Sequence, residues 1–131
     1  MRSEFSLEGK NVVITGGGSG IGEAISRKFV AHGAHVIILD LNSAKAEDLK
    51  NSVSDKSRLE IIACDVSDHK EVKNVISQII EKQKIDILIN NAGIAHVGNI
   101  ENTSEEDFDK VFQVNVKGVY NCSQALVPHM R

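Results

Sequence analysis

A chain of 131 residues, 41% apolar and 25% charged, has the make-up of one globular domain, long enough to withdraw about two thirds of its unfolded surface from water without covalent staples. A formal net charge of −3, with Lys and Arg scattered singly, leaves no basic stripe for nucleic acid or an anionic membrane, and Cys64 and Cys122 are too few and too far apart for a disulfide framework. No run approaches the roughly 18 apolar residues of a spanning helix and no signal-peptide core opens the chain, so a cytoplasmic setting is expected.

Taken in order, residues 1–6 (MRSEFS) carry no periodic signal and are read as disordered or as a cloning remnant, within a single domain over 1–131. NVVIT at 11–15 is a short β-branched apolar run bounded by turn signals, the mark of a strand buried on both faces. HVIILD at 35–40, LEIIAC at 59–64 and IDILIN at 85–90 repeat it. Helical patterns fall between these runs. Ile21, Ile25 and Phe29 recur at i, i+4 and i+8, predicting a helix that packs this face on the sheet and stops at Gly33. Val72, Val75, Ile76, Ile79 and Ile80 form a second stripe, begun by Asp68 and Glu71 at capping-box spacing. Thr103 and Glu106 have the same spacing ahead of SEEDFDKVFQVNVKGVYNCSQALVPHM, a helical stretch in which Asn115 is a mediocre helix residue, either capping or competing for backbone groups. The alternation predicts an α/β fold: a doubly wound parallel sheet with right-handed crossovers.

Residues 15–22, TGGGSGIG, place five glycines in eight positions between a strand and a helix that gain nothing from glycine. Such a turn lets backbone N–H groups approach a phosphate at the positive end of a helix dipole. A nucleoside-triphosphate loop is excluded because Glu23, not Lys, follows Gly22. The Gly-x-Gly-x-x-Gly pattern is out of register, with Ile21 or Glu23 standing where its third glycine belongs. Asp40 ends the second strand, where a carboxylate either accepts from a ribose diol or is an ordinary loop aspartate. It would repel a 2′-phosphate, Leu41 follows it, and no Lys or Arg lies between Thr15 and Glu23 or beside Asp40, so NAD is expected over NADP. The histidines form no ligand spacing, so no metal is expected, and the two cysteines are read as packing residues.

Four motifs then stand in register: TGGGSGIG (15–22), CDVSD (64–68), NNAG (90–93) and NVKG (115–118). Together they resemble the short-chain dehydrogenase/reductase (SDR) family, from about Leu7 to Arg131. The resemblance implies a Rossmann-type NAD(P)-binding domain with strand order 3-2-1-4, and an oxidoreductase that moves a hydride between a dinucleotide and a small alcohol or ketone. By the same resemblance Gly16, Gly18, Ser19, Gly20 and Ile21 face the pyrophosphate and adenosine ribose, and Asp40 and Leu41 border that ribose. Asp65 accepts from the adenine amino group with the Val66 amide beside it. Asn91, Ala92 and Gly93, after Asn90, run under the nicotinamide-side ribose, and Val114 belongs to the cofactor set. Asn115 interrupts its helix at a π-type turn, and its carbonyl holds a water of the proton relay.

The resemblance covers only the amino-terminal half of the family's pattern. The family's serine and its Tyr-x-x-x-Lys are not found: Tyr120 is the sole tyrosine and Gln124 stands where Lys would. The chain is therefore expected to be truncated before the fifth strand and inactive alone, working as a homo-oligomer or beside a docked carboxyl-terminal half. The alternative is a catalytically inactive dinucleotide-binding or regulatory module that pairs with another subunit.

Overall fold

The structure, a computed structural model, describes residues 3–131; Met1 and Arg2, part of the MRSEFS stretch, lie outside the described residues. Ser3 to Ser6 form a turn in which the Ser6 N–H donates to Ser3 O at 3.0 Å. Four strands follow: β1 (Asn11–Thr15), β2 (His35–Asp40), β3 (Leu59–Ala63) and β4 (Ile87–Ile89). They are all parallel, in the order β3-β2-β1-β4. The helices are α1 (Gly20–Ala31), α2 (Ser43–Ser52), α3 (His69–Lys82), α4 (Glu105–Phe112) and α5 (Gly118–Leu126), with a π-helical segment, Gln113–Lys117, joining the last two. This is the Rossmann arrangement expected of the sequence. Among the described residues no helix is long and apolar enough to cross a membrane.

The apolar runs are continuous because the sheet is covered twice. Val12, Ile14, Val36 and Ile38 point into a layer closed by α1 and α2, while Val13, Ile37 and Leu39 point into one closed by α3 and α5. Each such side chain, wholly removed from water, contributes about 1.5–3 kcal/mol relative to exposure.

Four local expectations are corrected. In α1 the buried stripe is Gly22, Ser26 and Val30, and Ile21 is 75% exposed. Close approach is the reason: a Cβ on Gly22 would lie 2.1 Å from Gly16 O, and the Ser26 hydroxyl donates to Gly17 O and Gly22 O at 3.0 and 2.8 Å. Only small residues fit at the glycine-turn end of that face, so Ile21 turns outward, while Ile25 and Phe29 of the expected stripe do pack against the core, partly buried. The cap of α4 is Ser104, whose hydroxyl accepts from the Asp107 N–H, while Thr103 stays in the preceding turn, donating both its N–H and its hydroxyl to Asn99 O. Asp68 does cap α3, but Glu71 reaches the Asp65 N–H instead of closing the box. The α1 stop falls where expected, with Gly33 at φ +95° and the Ala34 N–H donating back to Phe29 O. β4 is shorter than 85–90: at one end Asp86 is clasped to the Asn11 N–H, and at the other the Asn91 N–H turns back to Thr15 Oγ1.

Candidate functional site

Where the strand order reverses, between β1 and β4, the carboxyl ends of the strands open into a crevice of about 410 Å³. Its floor hangs on one hydroxyl. Thr15 Oγ1, in a residue 2% exposed, accepts the N–H groups of Asn91 and Ala92, both at 3.0 Å, and the Asn91 side chain donates to Gly16 O at 3.0 Å. The glycine turn is thereby stitched to the turn after β4.

On one side of the floor α1 begins at Gly20, so the amides of its first turn have no intrahelical acceptor and form the positive end of the helix dipole. Ser19 precedes them in extended conformation and its hydroxyl makes no capping bond. Gly20 has φ +55° and nothing within 4 Å of where a Cβ would stand. At the end of β2 Asp40 is anchored through both oxygens, Oδ2 accepting from the Gly18 N–H at 3.1 Å and Oδ1 from the Asn42 N–H at 2.9 Å. Leu41, 71% exposed, and Ile21 supply apolar rims, and among the described residues no Lys, Arg or His lines the crevice.

The turn after β3 brings Cys64, Asp65 and Val66 to the opposite wall. Asp65 Oδ1 accepts from the Ser67 N–H at 3.0 Å and from its hydroxyl at 2.6 Å. Among the described residues Asp65 Oδ2 and the Val66 N–H have no partner within the chain. Burial above all, then the carboxylate of Glu71, pushes the Cys64 thiol up to about 12, and burial pushes Cys122 up to about 11. These thiols are neutral packing groups.

Most of the sequence-expected residues converge here: Gly16, Ser19, Ile21, Asp40, Leu41, Asp65, Val66, Asn91, Ala92, Gly93 and Val114 all border the crevice. Gly18 and Gly20 lie instead on a depression at the outer side of the turn. Asn115 sits behind the wall, its side chain exchanging two hydrogen bonds of 2.8 Å with the backbone of Ile94. It lies in the π segment, where the Gly118 N–H reaches back to Gln113 O. Sequence reasoning missed Leu39, Asn42, Cys64 and Ile94 as lining residues and the role of Thr15. Thr15 was legible as part of the glycine motif; the partners of its hydroxyl, 76 and 77 positions away, were not. Among the described residues no cluster of metal-ligating groups forms.

With this geometry in view, the comparisons are consistent. A family model described as short chain dehydrogenase matches residues 10–131. The chain is 40% identical to oxidoreductase UcpA of Salmonella typhimurium over 126 residues, which are 95% of this chain and 48% of that protein. It is 38% identical to the 3-oxoacyl-(acyl-carrier-protein) reductase FabG of Thermotoga maritima, over 95% of this chain and 51% of that one. The chain thus spans about half the length of the curated relatives it matches. Among solved structures, a 3-ketoacyl-(acyl-carrier-protein) reductase from Brucella melitensis complexed with NADH superposes with a TM-score of 0.87 at 41% identity, over 95% of this chain and 51% of that one. The RhlG/NADP complex of Pseudomonas aeruginosa superposes with a TM-score of 0.88 at 31% identity, over 98% of this chain and 51% of that one.

Proposed function

The chain belongs to the short-chain dehydrogenase family, and on that premise we propose that it is the cofactor-binding part of an NAD-dependent oxidoreductase of alcohols or ketones. Asp40 carries the choice of NAD. Its carboxylate is held by two backbone amides at the end of β2, and among the described residues no cation lines the crevice beside it. Acceptor oxygens so anchored suit the donors of a ribose diol, whereas a 2′-phosphate would meet a like charge with nothing to offset it. One similar structure carries NADH and another NADP.

The remaining groups fit a dinucleotide. The open space over Gly20 and the free amides of α1 suit the pyrophosphate, with Gly16, Gly18, Ser19 and Ile21 around it. Asp65 and Val66 suit adenine, and Asn91, Ala92, Gly93 and Val114 suit the nicotinamide-side ribose. A bound dinucleotide supplies or accepts the hydride; the residues of this chain bind and orient it, and Asn115, in the π segment, offers a main-chain carbonyl to a relay water. Titration by dihydronicotinamide fluorescence tests the reading. NADH should bind about tenfold or more tighter than NADPH, ~1.4 kcal/mol, and Asp40→Ala should narrow the gap. NADPH preferred by the wild type would sink the NAD assignment.

The same reading has the chain working as a homo-oligomer or against a docked carboxyl-terminal half. β4 is a free edge of the sheet, and Phe108, Phe112, Val116, Tyr120 and Val127 are exposed along α4, the π segment, α5 and the short turn after it. A second reading, a dinucleotide-binding or regulatory module without turnover, draws on Tyr120. This sole tyrosine stacks on His69, away from the crevice lining. Hydride transfer by the chain alone, assayed over alcohols and ketones, would remove that second reading.

A further inference from the structure

Asn121 is a polar residue only 1% exposed, set on α5 between the core and the turn after β3. Its neighbours Cys122 and Leu126 are wholly buried, and an amide in such a place costs desolvation free energy unless both of its ends are paired. Both are. Nδ2 donates to Val66 O at 2.8 Å, and Oδ1 lies 2.9 Å from His69 Nδ1. Because Val66 O can only accept, the amide has one orientation, and Oδ1 must therefore receive a hydrogen from His69 Nδ1. The His69 ring is backed in turn by Tyr120, stacked at 6.0 Å between centroids and 16° between planes. Gly118, one turn earlier on α5, lets the helix come this close, since a Cβ there would stand 2.9 Å from Val66 Cγ2.

The peptide group that Asn121 grips is the one joining Val66 to Ser67. Its C=O accepts from Asn121, and its N–H donates to Asp65 Oδ1. One planar unit thus transmits the orientation of Asn121 to the Asp65 carboxylate, leaving Oδ2 as an acceptor next to the Val66 N–H as a donor. An adenine edge offers a donor at N6 beside an acceptor at N1. Hypoxanthine reverses both, with an acceptor at O6 and a donor at N1.

We infer that Asn121 and His69 are positioning residues that orient the turn reading the purine edge, and that through them the chain discriminates adenine from a purine of opposite donor–acceptor pattern. The inference rests on the dinucleotide reading above. It extends recognition of the base to two side chains that do not line the crevice, one of them on the exposed start of α3.

The test compares binding of NADH with that of reduced nicotinamide hypoxanthine dinucleotide, both followed by dihydronicotinamide fluorescence. The wild type should prefer NADH by about tenfold or more, since a hydrogen-bonding site leaves its groups unpaired against the wrong edge. His69→Phe keeps the ring on Tyr120 but removes the donor, and should bring the ratio to within about threefold. His69→Asn, whose Nδ2 can stand where Nδ1 does, should retain the wild-type ratio. Asn121→Leu should behave as His69→Phe does; the His69 variants, at an exposed position, carry the test if that buried change unfolds the chain. General loosening would lower both affinities together and leave the ratio alone. A ratio unchanged in His69→Phe, or a wild type indifferent to the base, overturns the inference while leaving dinucleotide binding intact. A wild type that binds neither compound overturns the dinucleotide reading itself.

Discussion

Thr15→Val tests how the floor of the crevice is held, because it changes one polar atom and little else. Valine has the outline of threonine, so neither a cavity nor overpacking enters. What disappears is the acceptor for the Asn91 and Ala92 N–H groups, each 3.0 Å from Thr15 Oγ1. A buried donor left unpaired costs about 1–3 kcal/mol; the Asn91 N–H keeps a second acceptor in Ile89 O at 3.1 Å, so the Ala92 N–H is the one left bare. Ala92 is only half-buried, and water reaching it offsets part of this, which places the expected loss near 1–2 kcal/mol. That is a large share of the ~5–15 kcal/mol that holds a domain together. Urea denaturation should show a midpoint lowered by about 1 M at unchanged slope. Thr15→Ser, which keeps the acceptor and loses one methyl, should cost about 1 kcal/mol. Thr15→Val within about 0.5 kcal/mol of the wild type, or Thr15→Ser costing as much, would refute the account.

Gly20→Val meets nothing within 4 Å of its Cβ position but puts a β-branched residue at φ +55°, so it should cost about 1–2 kcal/mol while leaving the chain folded by circular dichroism, and weaken NADH binding by about tenfold or more. Gly22→Ala should instead cost at least about 3 kcal/mol in a denaturation experiment, because its Cβ would stand 2.1 Å from the Gly16 carbonyl oxygen and backbone must move. The thiols of Cys64 and Cys122 hold their protons more tightly folded than unfolded, so stability should fall as pH rises from the ordinary 9.0 towards 12 and 11. Cys64→Ala should flatten the alkaline limb of thermal unfolding against pH, and a limb unaltered by that change counts against the burial argument. Sedimentation of the purified chain should reveal self-association, given the free β4 edge and the exposed Phe108 and Phe112. A monomer at high concentration would oppose it.

Local chemistry made much of the scaffold legible. β1 and β2 could be read to the residue, since a β-branched run between turn residues has one economical use when both faces are covered. α3 was legible because its apolar stripe is wide and its cap is a single aspartate acting on the next turn. Ile21 was misassigned because periodicity counts apolar residues and cannot see that the face touching backbone must be small. The cap of α4 moved by one residue because Thr103 is held in the preceding turn, where its N–H and its hydroxyl both donate to Asn99 O.

The order of strands and helices, the glycine turn at a strand end, the acidic end of β2 and the family to which the chain belongs were all legible in the amino-acid order. Each is written in adjacent residues whose propensity and spacing act over a few positions. Folding alone made Thr15 hold the turn after β4, Asn115 clamp Ile94 from behind the wall, and His69 and Asn121 grip the Val66 peptide. Those contacts join residues 21 to 76 positions apart. They depend on how closely helices settle on the sheet, which is set by packing and by the need to pair every buried polar group.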